Sequence, residues 1–369
     1  MRKFLTLPVD WVVLFIPILL TVTGIVTIYT ITFAQHGTSL AFGQLIFGLI
    51  GLAAMTVVMF SDYRFFGSIA LPLFAIGLLA LIPLLPPIAP KLPFVMKVYG
   101  AHRWLNFGLF QVQPAEVFKL IAAIFGAKYL ADKVGQIKIG QIIIFAILSV
   151  VPFVLVLAQP DLGTAAVLLT IFITLFLASG PSRRILLGAL IVVGLVVPLF
   201  WANLKPYQKN RVETFLNPAA DPQGEGYNVR QSLIAVGSGG LTGRGFGQGS
   251  QTVLNFLPVP HADFIFAGFA EATGFVGSFI LIVLYVVLIS RAVTIAQAST
   301  DSFGQLLALA IAAKFTFQTI VHIGMNIGLL PVTGIPLPFM SYGGTALIID
   351  LVCIGMLESI YIRHKRMFF

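Results

Sequence analysis

The residues able to do chemistry gather in a few segments. Asp263 is the sharpest of them, following Pro258 and Pro260 and preceding the apolar run Phe264-Ile265-Phe266. One reading makes it a carboxylate favoured by the positive N-terminal end of a helix dipole. The other makes it a general base, because a carboxylate in a partly desolvated recess has a raised pKa, closer to what proton abstraction near neutrality needs. Glu271 lies eight residues on, about 12 Å further along a helix at ~1.5 Å per residue. Buried there it needs a partner or a cavity, as a structural hydrogen-bonded carboxylate or as a second catalytic group. Glu116 and Lys119 are three apart and share one helix face. That spacing predicts an ion pair, or a Lys119 that holds a phosphate or orients Asp263. Arg103-Trp104 reads either as an interfacial anchor or as a phosphate-binding arginine beside an aromatic plane. The glycine-rich run GSGGLTGRGFGQG at 237–249 has neither the Gly-x-Gly-x-x-Gly register nor a Gly-Lys-Ser/Thr ending, so no nucleotide is expected there. It reads as a loop needing positive φ, with phosphate cradling by backbone amides and Arg244 as the alternative. Lys314 and Asp350 read as a structural pair, and His322 and Asn326 as interhelical hydrogen-bond partners.

Membrane helices must position these groups. Of 369 residues, 58% are hydrophobic and 9% charged, against roughly 25% charged in soluble domains. A soluble globular enzyme is thereby excluded, and so is disorder. The single cysteine, Cys353, excludes an internal disulfide framework and a cysteine-based zinc site. The five histidines show no ligand spacing. Ten stretches approach the ~20 apolar residues a spanning helix needs: 10–33, 40–60, 68–89, 114–131, 140–158, 162–179, 185–201, 262–290, 303–326 and 342–362. The expectation is an all-α integral membrane protein, one polytopic domain with a large outer loop at 202–260. The first stretch follows Arg2 and Lys3, is too long for a signal h-region and lacks a small-x-small cleavage site, so it is expected to remain as an anchor.

The net charge of +9 reads as topology rather than nucleic-acid binding. With the N-terminus in the cytoplasm, twelve Lys and Arg fall inside and eight outside, five of those eight within 202–260. Both termini are then cytoplasmic. The unusual polar segments all lie outside: Gly100–Glu116, QPDLGT with Asp161, the 202–260 loop running into His261 and Asp263, and NIGLLPVTGIPLPFMSYGG with Ser341. The working surface therefore faces outward. A lipid-linked phosphorylated substrate fits this arrangement, in an enzyme, a transporter or a lipid flippase.

Five motifs narrow the choice: GAHRWLNFGLFQVQPAEVFKL, QPDLGTA, YQKNRVETFLNPAADPQGEGYNVRQSLIAVGSGGLTGRGFGQGSQ, HADFIFAGFAE and GLLPVTGIPLPFMSYGG. In order and spacing the chain resembles the SEDS family (shape, elongation, division and sporulation) of bacterial membrane proteins. The Gly-Ser-Gly-Gly-Leu and Leu-Pro-Val-Thr-Gly-Ile-Pro-Leu-Pro segments resemble its rod-shape RodA type more than its division FtsW type. The resemblance implies a peptidoglycan glycosyltransferase that polymerises lipid II on the outer face of the bacterial cytoplasmic membrane. It also implies a class B penicillin-binding protein as partner and a divalent cation, Mg or Mn. The family's essential aspartate falls on Asp263, its cavity lysine on Lys119 and its outer Arg-Trp pair on Arg103 and Trp104. In this scheme Asp263 takes the acceptor hydroxyl proton. Arg103, Lys119, Arg211 or Arg244 stabilise the departing pyrophosphate, and Glu116, Asp161, His261, Glu271 and Ser341 support the site. The family's usual glutamate and threonine around the motif histidine are here Val259 and Ala262. A lipid II flippase and a non-catalytic scaffold for the transpeptidase are the competing readings.

Overall fold

Residues 8–366 are described by the computed structural model, except 99, 109, 203–205, 218–223, 255 and 258. Arg2, Lys3, Lys205 and Pro258, used above for charge and boundary arguments, lie outside the described residues. The ten stretches read as spans carry α1 (Trp11–His36), α2 (Ser39–Phe60), α4 (Ala70–Leu81), α5 (Pro114–Ala131), α6 (Ile139–Ala158), α7 (Leu162–Ala178), α8 (Arg183–Ala202), α12 (Ile265–Ala298), α13 (Ser302–Asn326) and α14 (Gly344–Arg366). Among the described residues, six of these (α1, α2, α6, α12, α13 and α14) are long and apolar enough to cross a membrane by length and composition. A short helix, α3 (Tyr63–Ser68), links α2 to α4. In lipid a helix must satisfy its own backbone, and the hydroxyls inside α1 follow suit. Thr21, Thr27 and Thr32 each donate to the carbonyl four residues back, at 2.7–2.8 Å.

Three segments differ from the sequence expectation. The third span is shorter, because α4 stops at Leu81 and passes into a tight turn over Ile82–Leu84, where Pro83, Pro86 and Pro87 forbid further helix. The outer stretch around Arg103 is an antiparallel sheet in the order β1 (Val95–Val98), β2 (Ala101–Asn106), β3 (Gln111–Val112). Met96 pairs with Trp104 and Leu105 with Val112. The 202–260 loop contains α9 (Pro206–Leu216), α10 (Glu225–Ser238) and α11 (Ser250–Val253).

The interior is built around α5, α7, α13 and α14, whereas α6 turns most of its apolar side chains outward. Lys314 on α13 and Asp350 on α14 form a buried ion pair. At the end of the bundle away from the sheet, Asp10 caps α1 through Val12 and Val13 N–H and pairs with Arg291. Beside it Asp301 caps α13 and accepts the Tyr63 hydroxyl at 2.7 Å.

α12 is broken. Gly274 has φ +67° and ψ −162°, which frees backbone groups on both sides. The glycine-rich run supplies their partners. Phe275 N–H donates to Gly240 O at 2.8 Å and Val276 N–H to Leu241 O at 3.1 Å, while Arg244 and Gly245 N–H donate to Glu271 O and Ala272 O at 3.0 Å each. Irregular backbone at this depth is tolerated where protein completes it. A Cβ on Gly243 would stand 2.2 Å from Ala272 O, and one on Gly274 would stand 2.3 Å from Gly243 N. Glycine is needed here for close backbone approach.

Candidate active site

The sheet, the start of α7, the start of α12 and the 326–343 connection meet around one cavity of about 390 Å³. Beside it, three consecutive backbone carbonyls are held by donors from other segments. Tyr342 N–H donates to His261 O at 2.8 Å, Ser341 Oγ to Ala262 O at 2.8 Å and Asn326 Nδ2 to Asp263 O at 3.1 Å. The 337–343 turn that supplies two of these donors is itself held. Ser341 Oγ accepts Leu337 N–H at 2.9 Å, Gln44 of α2 bonds Ser341 O and Gly343 N–H, and Tyr285 Oη reaches Pro338 O at 2.6 Å. Asp263 is thus fixed at its backbone, two residues before the first turn of α12.

The Asp263 side chain lines the cavity, and a Cβ placed on Gly334 would lie 3.8 and 3.9 Å from its two carboxylate oxygens. It does not cap its own helix, whose N-cap is Phe264 without any side-chain bond. Burial pushes its pKa up to about 6, opposed by the positive charges of Arg211 and Arg103 and reinforced by the negative charge of Asp161. Such a value suits a proton acceptor near neutral pH.

Arg103 projects from β2 and is gripped by the turn before α7: Nε donates to Gln159 O at 3.2 Å, a terminal nitrogen donates to Pro160 O, and the guanidinium stands 3.9 Å from Asp161 Oδ2. Asp161 caps α7 through Thr164 N–H at 3.0 Å and accepts Gln113 Nε2 at 3.3 Å. Gly163 lets this turn approach the 333–335 segment, since a Cβ there would meet Thr333 O at 2.8 Å. Trp104 from β2, Arg211 from α9 and Asn228 from α10 complete the polar lining. Two guanidinium groups facing one carboxylate make a recess suited to an anionic substrate that must also give up a proton.

The remaining candidates sit elsewhere or serve the frame. Glu116 lines the cavity, but its partner Lys119, 2.6 Å away, does not, and both are buried. The spacing was right about the pair. In this structure Lys119 spends its charge on Glu116 and stands behind the cavity lining. Glu271 is fully buried below the cavity, accepting Gln251 N–H at 2.9 Å and Thr252 N–H at 3.1 Å. It caps the backbone of that turn and is outside the cavity lining. Arg244 is outside the lining, with Nε donating to Ser238 O at 3.0 Å. The run around it completes the break of α12. His261 contributes its carbonyl, its ring standing edge-on to Tyr342 at 5.5 Å. Ser341 acts through backbone contacts alone. Val259 and Ala262, the departures from the family pattern, both line the cavity. Gln113, Asn228, Gly334 and Tyr342 escaped the sequence reading as site residues, although all four lie within the motifs quoted there.

Among the described residues no three His, Cys, Asp or Glu side chains stand together as a metal cluster. Of the three acids lining the cavity, Glu116 is matched by Lys119, Asp161 by Arg103, Gln113 and Thr164 N–H, and Asp263 is the third. Among the described residues these three do not gather into a protein cage for a divalent cation.

Comparison with known proteins agrees with this architecture. The family model for FtsW, RodA and SpoVE, described as cell cycle proteins, matches residues 8–366. Peptidoglycan glycosyltransferase MrdB of Escherichia coli K12 is 40% identical over 267 residues, 72% of each chain. Stage V sporulation protein E of Bacillus subtilis is 34% identical over 367 residues, 97% of this chain and 98% of that one. The probable peptidoglycan glycosyltransferase FtsW of Trichlorobacter lovleyi is also 34% identical, covering 95% of this chain and 92% of its own. A chain from a peptidoglycan synthase complex, studied for coordination of polymerization and crosslinking, superposes with a TM-score of 0.80 at 29% identity over 98% of both chains. The rod shape determining protein RodA of Thermus thermophilus superposes with a TM-score of 0.70 at 27% identity, again over 98% of both. The chain is therefore a membrane-embedded, mostly helical member of the SEDS family, the cell cycle proteins FtsW, RodA and SpoVE.

Proposed function

We propose that the chain is a peptidoglycan glycosyltransferase that polymerises lipid II at the outer face of the bacterial cytoplasmic membrane, in cell elongation. One observation carries the reading: the Asp263 carboxylate, not used to cap its own helix, shares a cavity with Arg103 and Arg211. Asp263 accepts the proton of the acceptor GlcNAc 4-hydroxyl as that oxygen bonds to the anomeric carbon of the donor MurNAc. The bond from that carbon to the pyrophosphate oxygen breaks. Attack opposite the leaving group turns an α-linked donor into a β-1,4 product. Negative charge grows on the departing pyrophosphate, and the two guanidinium groups stabilise it where water is partly excluded. The donor brings its own leaving group, so no nucleotide is used. A divalent cation would arrive with the phosphates, and no step above is routed through it.

Orientation rests on the charge pattern. The cavity end carries the long 202–260 segment, where the positive-inside bias loses force, and the opposite end carries short basic connections. Both termini are then cytoplasmic. The elongation role rests on the two RodA-type segments, and the partner would be a class B penicillin-binding protein with a single span.

The test is lipid II polymerisation by the purified protein with its transpeptidase partner. Asp263→Ala should lower the rate by about 10²–10⁴, the usual contribution of a positioned base. Equal polymer from Asp263→Ala at equal membrane abundance rejects the base. Lipid II translocation in vesicles without polymer rejects the enzyme in favour of a flippase. Rescue of rod shape, but not of septation, in depleted cells checks the elongation role.

A further inference from the structure

We propose that Asn326 is a positioning residue that caps α12 from a neighbouring helix and so leaves the Asp263 carboxylate to face the cavity. The proposal rests on the reading of Asp263 as the base. The first N–H groups of a helix lack intrahelical partners, and an N-cap side chain ordinarily satisfies one at the second or third position. α12 has no such cap of its own. Ala267, its third residue, instead donates its N–H to Asn326 Oδ1 at 3.1 Å, from the last residue of α13. The same side chain donates through Nδ2 to Asp263 O at 3.1 Å and to His322 O at 2.8 Å. The Asn326 carbonyl takes Ser232 Oγ at 2.8 Å. Asn326 is fully buried. Its amide orientation is set by these partners, since the flipped group would set NH₂ against an N–H and oxygen against two carbonyls.

The grip brackets the base, with one bond at the Asp263 carbonyl and the other four residues further on. Without it the Ala267 N–H is buried and unpaired, which costs free energy. The nearest acidic acceptor by sequence is Asp263 itself, one residue before the Phe264 N-cap. Asn326 removes that competition. A carboxylate turned to cap α12 would leave the other charged or titratable groups of the cavity: Arg103 of β2, Arg211 of α9, Asp161 before α7, Glu116 of α5 and Tyr342 before α14.

The test compares initial polymerisation rates against lipid II concentration and pH, for the full chain with its partner protein. The variants are Asn326→Ala, Asn326→Asp and Asp263→Ala, at matched folding by thermal melt. Asn326→Ala should lower kcat at least tenfold with KM for lipid II changed less than threefold. The acid limb of its rate profile should move below the parental one, as the carboxylate gains backbone N–H donors. Asn326→Asp keeps the acceptor for Ala267 N–H and loses the donor to Asp263 O, so its kcat should lie between the parent and Asn326→Ala. A parental kcat in Asn326→Ala, or a reduced kcat with an unmoved acid limb, overturns the proposal. If Asn326→Ala does not fold, a parental kcat in Asn326→Asp overturns it and a reduced kcat at parental KM supports it. An active Asp263→Ala rejects the base itself. An inactive Asp263→Ala beside a parental Asn326→Ala rejects only the positioning role.

Discussion

Asp263 stands in its recess against its own solvation, so removing its charge should lower polymerisation by about 10²–10⁴ and stabilise the fold. Burial raises its pKa from an ordinary 3.8 to about 6. Each pH unit of that difference corresponds to about 1.4 kcal/mol, so keeping the carboxylate ionised costs at most about 3 kcal/mol, and less because the half-buried side chain keeps some solvent. The pH window follows from the direction. Below the unfolded pKa both states hold the proton and nothing is lost. Between about 4 and 6 the unfolded chain ionises while the folded one resists, and stability falls. Above about 6 the full cost is present. Asp263→Asn keeps the shape and removes the charge. It should gain up to about 3 kcal/mol at pH 7.5, seen as a rise in Tm of a few degrees, with the gain vanishing by pH 4. The assay is thermal unfolding of detergent-solubilised parent and variant at pH 7.5, 6 and 4.5, beside polymerisation at pH 7.5. A variant no more stable than the parent at pH 7.5, or a gain independent of pH, refutes a desolvated base. The same pKa sets the activity profile of the parent: the basic form works, so the rate should fall as pH drops through about 6.

Other perturbations separate frame from chemistry. Glu271→Ala strands the N–H groups of Gln251 and Thr252, at about 1–3 kcal/mol each, and should lower Tm in step with activity; lost activity with an unchanged melt would point to a catalytic role. Gly243→Ala adds a Cβ 2.2 Å from Ala272 O at a residue with φ +83° and should cost at least about 1–3 kcal/mol, read as faster amide exchange over 239–249 and around the α12 break. Lys314→Met alone leaves Asp350 buried and unpaired, a loss of about 3–5 kcal/mol, whereas Lys314→Met with Asp350→Leu should recover most of it; equal melts for the single and double variants would show that the pair is not coupled.

The Glu116–Lys119 pair was legible because i,i+3 spacing dictates contact on any helix. Which member meets the cavity was not legible, since that depends on how α5 is rotated against α13 and α14. The glycine run was legible as a loop requiring positive φ at some positions, and Gly240, Gly243, Gly245 and Gly247 do adopt it. Its threading into the break of α12, more than thirty residues along the chain from Gly240 to Phe275, was not. The sheet around Arg103 was missed because its strands span only two to six residues, too short for alternation to stand out among aromatic and interfacial residues.

By itself the sequence determined the membrane class, the helical stretches and the segments that hold the polar groups. Lipid forces each helix to satisfy its backbone locally, so long apolar runs and their charged flanks can be read directly. Only the tertiary structure decided that Arg103 and Arg211 share the cavity while Lys119 and Arg244 do not, that Glu271 is spent on backbone, and that Asn326 caps a helix 59 residues away in sequence. Those outcomes depend on which distant donor reaches which acceptor, a matter of helix rotation and packing that residue spacing along the chain does not encode.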